Sequence, residues 1–75
     1  VDPQQATLAD LRTWAGLTQR QLAARVGVAG PTISSIEQGR RRLRPELAER
    51  IAAELQLPVA TVIAAAQRHR KAHGS

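Results

Sequence analysis

Along this 75-residue chain, hydrophobic residues recur three and four positions apart in five short stretches, separated by glycine, proline and polar residues. The first stretch, about residues 3–15, puts Leu8, Leu11 and Ala15 on one face. Asp2-Pro3 reads as its cap and first turn, Gly16 as its stop, and Leu17 turns inward in the connection. The second, about 18–26, spaces Leu22, Ala23 and Val26 helically. Thr18 is a candidate N-cap, and Gln21 three residues on completes a capping box. Gly27 stands where a left-handed residue ends such a helix, with Val28 packing back beneath it. Gly30-Pro31 opens the third stretch, about 30–38, because a first-turn proline gives up an N–H that has no helical partner anyway. Ile33 and Ile36 form its apolar face and Gly39 ends it. Pro45 opens the fourth, about 45–56, in which Leu47, Ile51 and Leu55 recur every four residues. Leu57 buries the next connection, and Pro58 opens the fifth, about 58–70, with Val59, Val62, Ile63 and Ala66 on its apolar face. No segment reads as a strand, a repeat or a linker. The pattern predicts one all-α domain over residues 1–75, a compact set of five helices whose basic end frays from Ala72 to Ser75. The expected core is Leu11, Leu22, Val26, Ile33, Ile36, Leu47, Ile51, Leu55 and Val62.

The second and third stretches form the most specific unit. Two short helices joined by a tight glycine turn, with a small Ala23 that lets them cross closely, make a helix-turn-helix. That unit lays its second helix in the major groove of DNA. Composition agrees: a net charge of +5 and a pI near 11.6 suit a polyanionic partner. A single Trp, with no Tyr or Phe, argues against stacking on single-stranded bases. The absence of cysteine excludes a disulfide scaffold and a thiolate zinc site, and suits a cytoplasmic protein. There is no apolar run near the ~20 residues of a membrane span, and no charged-then-apolar leader pattern. No Ser/His/Asp grouping, paired carboxylates or phosphate-cradling glycine loop stands out, so neither an enzyme nor a cofactor is expected. His69 and His73 have i, i+4 spacing but no third ligand, and no metal site is expected from them.

Charge placement adds detail. Arg12 and Glu37 flank the apolar stripes of their helices, beside Leu11 and Ile36. A lone carboxylate on a DNA-facing helix would repel phosphate, and a half-buried one would carry a desolvation cost. Pairing Arg12 with Glu37 resolves both; the alternative is two separate solvated charges. The basic loop of Arg40, Arg41, Arg42, Leu43 and Arg44 follows the third helix directly, which sets it over a phosphate strand. In another setting such a run is a solvated loop. Trp14 is expected as a partly buried edge residue beside the core, with a partner-binding patch as its functional alternative.

The string Leu8-x-x-Leu11-Arg12-x-x-x-Gly16-Leu17-Thr18-Gln19-x-x-Leu22-Ala23, then Gly27-Val28, then Thr32-Ile33-Ser34-x-Ile36-Glu37-x-Gly39, resembles the lambda-repressor-like (Cro/CI, or XRE) helix-turn-helix family. The likeness runs over about residues 5–66. It implies a five-helix domain that binds operator DNA as a dimer and acts as a repressor or activator, with a helix-1 Arg paired to a helix-3 Glu. Carried over by position, Gln19 at the start of helix 2 meets a phosphate, with Thr18 and Arg20 beside it, and Thr32 lies near the backbone. Ala29, Gly30, Pro31, Ser34, Ser35 and Gln38 occupy positions that face base edges. Here the chain departs from the family, because residues 29–31 have no side-chain donor or acceptor. Ser34, Ser35 and Gln38 remain as readers, Gln38 being suited to adenine, and Ala29 or Pro31 to a thymine methyl. Direct readout is then sparse: either DNA shape supplies much of the specificity, or the recognition helix sits deeper.

The expected function is a sequence-specific, repressor-like regulator on double-stranded DNA. Arg40, Arg41, Arg42 and Arg44 hold phosphates, and Val59, Ile63 and Ala66 are candidate homodimer contacts completed on DNA. Three readings of the same fold stand as alternatives: an antitoxin bound to a toxin, an anchoring or interaction module of a larger regulator, and a restriction–modification controller.

Overall fold

A computed structural model describes residues 5–68. Five helices follow in order: α1 (Leu8–Trp14), α2 (Gln19–Val26), α3 (Gly30–Glu37), α4 (Pro45–Leu55) and α5 (Val59–Gln67). There is no strand among the described residues. No helix among them is long and apolar enough to cross a membrane. The fold is all-α, as the period of the hydrophobic pattern required.

α2 and α3 pack on each other, α4 on α2 and α5, and α1 on α5. Leu8, Leu22, Ala23, Val26, Ile33, Ile36, Ile51, Ala52 and Val62 meet in the main core, and Ala6, Leu11 and Ala65 form a second cluster. The largest fully buried side chains are Leu8, Leu22, Ile33, Ile36, Ile51 and Val62, all aliphatic. Each contributes about 1.5–3 kcal/mol by leaving water. Between them Ala6, Ala23, Ala48, Ala52 and Ala65 are buried, and these small residues set the close approach of the helices. Leu47 and Leu55, expected inside, are only partly buried and pack against the core from its rim. Ala48 and Ala52 take the inner face of α4 with Ile51. Leu17, Val28 and Leu57 pack against the core from the connections.

The start of α1 differs from expectation. The helix begins at Leu8, and Thr7 caps it: its hydroxyl accepts from the Asp10 N–H at 3.2 Å while the Asp10 carboxylate accepts from the Thr7 N–H at 3.1 Å. This reciprocal box fixes the boundary five residues beyond Asp2-Pro3, which lie outside the described residues. Ala15 is the exposed C-cap of α1, and Ala6 fills the inward place instead. Trp14 is 52 % exposed, because it occupies the last turn of α1, beyond the Leu8 and Leu11 contacts. At the other end α5 begins at Val59, with Pro58 as its N-cap, and closes at Gln67. Arg68 reaches back to donate to the Ala6 carbonyl at 3.0 Å, tying the end of α5 to the segment before α1. The expected extension to residue 70, the basic end of His69, Arg70 and Lys71, the frayed 72–75 and the His69/His73 spacing lie outside the described residues.

Candidate nucleic-acid interface

The turn between α2 and α3 is built as the sequence dictates. Thr18 caps α2: its hydroxyl accepts from the Gln21 N–H at 3.0 Å, and its own N–H donates to Gln21 Oε1 at 2.8 Å. Gly27 closes α2 in the left-handed region at φ +80°, where a Cβ would be strained. The Val28 N–H returns to the Ala23 carbonyl at 2.9 Å. Arg50 of α4 donates to the Val26 carbonyl at 3.3 Å, satisfying an end group of α2 with a cation. α3 then starts with Ala29 as N-cap and proline in its first turn.

One cluster holds α3 to α1 and to the start of α2. Arg12 Nε donates to Glu37 Oε2 at 2.6 Å and Nη2 to Oε1 at 3.3 Å. Arg12 Nη1 donates to the Leu17 carbonyl at 2.8 Å, and Gln19 Nε2 to Glu37 Oε1 at 2.8 Å. The side chains of Arg12 and Glu37 are 15 % and 6 % exposed, so this is a desolvated pair, not two solvated charges. Glu37 thereby accepts three hydrogen bonds and has its charge offset by Arg12. The Gln19 bond is invisible to the residue pattern. It joins the proposed phosphate anchor to the ion pair and fixes one of the two amide protons of Gln19.

On the face of α3, Ala29, Pro31 and Gln38 are exposed, and Gly30, Thr32, Ser34 and Ser35 are half-buried. Gln38 is the C-cap, one residue past the helix, and its Nε2 donates to Ser34 Oγ at 3.1 Å. That bond between two candidate readers was also missed, although their i, i+4 spacing was a usable signal. The chain then folds back: the Arg40 and Arg41 N–H groups donate to the Ser35 carbonyl at 2.9 and 3.3 Å. Arg41 Nη1 reaches Thr32 Oγ1 at 3.5 Å. Arg40, Arg41, Arg42 and Arg44 are all exposed, while Leu43 anchors their loop against the core. Arg20 is exposed on the first turn of α2. Arg25 pairs loosely with Glu54 of α4 at 3.5 Å and stays on the surface.

The dimer candidates are less uniform. Val59 and Ala66 are half-buried against the chain's own core, while Ile63 is half-buried and lines a shallow groove with Leu43, Ala66, Arg41 and Arg42. Val62, the innermost residue of α5, is fully buried.

A family model described as a helix-turn-helix domain matches residues 6–65. Its bounds run from the buried Ala6 to the buried Ala65, so it covers all of α1 to α4 and most of α5. No curated protein matches the chain. A domain of this kind points to a DNA-binding regulator.

Proposed function

This chain belongs to the helix-turn-helix domain family, and we propose that it is a sequence-specific regulator of transcription, repressor-like, acting by binding double-stranded DNA and not by catalysis. α3 enters the major groove. Gln19 and Arg20 at the head of α2, with Thr32 and the arginines of residues 40–44, hold the flanking phosphates. Thr18 stands beside them: its hydroxyl oxygen accepts the Gln21 N–H and its own O–H is left to donate to a phosphate.

The observation that carries this reading is the layout of the α3 face: polar readers bounded by exposed cations, with the carboxylate of α3 itself, Glu37, paired to Arg12. Gln38 fits the reading chemically. Bonding an adenine edge in two places uses one amide N–H and the amide oxygen, which leaves a second N–H for the bond from Nε2 to Ser34. A homodimer on DNA, with Val59, Ile63 and Ala66 of α5 in contact, would set half-sites about one helical turn, ~10 bp, apart.

The test is selection of bound sites from a random duplex pool. Enrichment of one motif, repeated with twofold symmetry at that spacing, is the expected result. No enrichment at low salt would refute it. Exposed Trp14 supports a second reading, a protein-interaction module such as an antitoxin. That reading predicts loss of partner binding on Trp14→Ala with DNA binding unchanged.

A further inference from the structure

The first turn of α3 has an unusual surface for a reading helix. Ala29 and Pro31 are exposed, Gly30 is half-buried, and none of the three has a side-chain hydrogen-bonding group. Ala29 makes no side-chain cap bond, Pro31 has no N–H, and the Thr32 N–H turns back on the Ala29 carbonyl at 3.0 Å. Two exposed arginines, Arg20 and Arg41, belong to the segments that adjoin this apolar tip. A Cβ on Gly30 would lie 4.0 Å from the Arg20 backbone, and Arg41 reaches Thr32 at 3.5 Å. A small apolar surface among basic residues matches an apolar group carried on a polyanion. On the major-groove edge of DNA that group is the C5-methyl of a pyrimidine.

We propose that Ala29 and Pro31 read the C5-methyl group of a pyrimidine, so that 5-methylcytosine replaces thymine at that position and the domain responds to cytosine-5 methylation of its site. The inference rests on the proposed reading, in which α3 lies in the major groove. On the major-groove edge thymine and 5-methylcytosine carry the methyl in the same place and differ at the neighbouring O4 or N4 group and at the partner purine's N6 or O6. A turn without side-chain donors or acceptors discriminates weakly there and strongly on the methyl. Burying one methyl corresponds to about fourfold in affinity per half-site.

The experiment uses the duplex enriched from the random pool. Each half-site pyrimidine in turn is presented as thymine, deoxyuridine, cytosine or 5-methylcytosine with its proper complement, and titrated with the full chain at fixed salt. At one position per half-site, thymine and 5-methylcytosine should bind alike and about fourfold tighter than deoxyuridine and cytosine. Ala29→Ser, which adds a hydroxyl at an N-cap position that favours serine, should fold and reduce this methyl preference while retaining the salt dependence. Pro31→Ser at the exposed neighbouring position should do the same, and circular dichroism verifies the fold of each. A duplex that binds with no methyl preference at any position overturns the inference and leaves the proposed function standing. So does a thymine preference that 5-methylcytosine does not share, or a methyl preference undiminished in both variants. A pool from which no duplex is enriched overturns both.

Discussion

Replacing Arg12 by Ala removes three donated bonds at once: two to the Glu37 carboxylate and one to the Leu17 carbonyl. Glu37, 6 % exposed, is left with Gln19 Nε2 as its remaining side-chain donor. Breaking a buried pair from one side costs about 3–5 kcal/mol. The Gln19 bond and the slight exposure of Arg12 place this case at the lower end, about 3 kcal/mol. A domain of this length has a total stability of roughly 4–11 kcal/mol. The variant should therefore lose a quarter or more of it, lowering the melting temperature by roughly 12–24 °C. Glu37→Ala should cost less, about 1–2 kcal/mol, because the guanidinium keeps its carbonyl partner and gains water. Urea denaturation followed by circular dichroism, on both single variants and the double variant, gives the coupling energy. A value of about 1.5 kcal/mol or more is expected for the desolvated pair. A value within about 0.3 kcal/mol of zero would refute the reasoning and assign Arg12 and Glu37 to ordinary surface electrostatics.

Leu22→Ala and Ile51→Ala, both at fully buried positions, should each cost about 2–5 kcal/mol in the same denaturation assay; a loss below about 0.5 kcal/mol would remove that residue from the core. Gly27 and Gln56 both end helices in the left-handed region, at φ +80° and +57°, so opposite signs are expected on exchange. Gly27→Ala should destabilise by about 1 kcal/mol and Gln56→Gly should stabilise by about 0.5 kcal/mol; equal signs would show that backbone conformation does not decide these sites. On DNA, Arg41→Ala or Arg42→Ala should weaken binding to all sequences alike and flatten the salt slope by about one unit per lost contact. Gln38→Ala should instead relax preference at one base position by ~1–3 kcal/mol with the slope nearly unchanged; equal losses on matched and mismatched duplexes would end its role as a reader.

Fold and site were legible to different depths. Where apolar period and capping chemistry agreed, as at Thr18, Gln21 and Gly27, both the helix and its ends were readable from residues alone. At α1 the Asp2-Pro3 signal predicts too early a start, because the reciprocal box of Thr7 and Asp10 sets the boundary at Leu8. On α4 the four-residue leucine spacing was read as the inner face, yet Ala48 and Ala52 sit deeper than Leu47 and Leu55. Alanine gives a weak hydrophobic signal, but its size makes it the residue that close helices admit. The Arg12–Glu37 pair followed from the cost of a lone carboxylate. Bonds that depend on where two elements meet, such as Gln19 to Glu37, Arg50 to the Val26 carbonyl and Arg68 to the Ala6 carbonyl, carry no sequence period. Only the assembled geometry displays them.

The position of Trp14 has an optical consequence. The chain has one indole and no phenol, and that indole stands outside an entirely aliphatic core. At 52 % exposure its emission is expected to shift less on unfolding than that of a buried indole, so fluorescence should follow the folding transition more weakly than circular dichroism does. The same exposure makes it a sensor of contact. A blue shift or quenching on mixing with another macromolecule records coverage of the last turn of α1, beside the α1–α2 turn whose Leu17 carbonyl Arg12 holds. The native protein thus carries its own label for partner binding, at a place outside the aliphatic core.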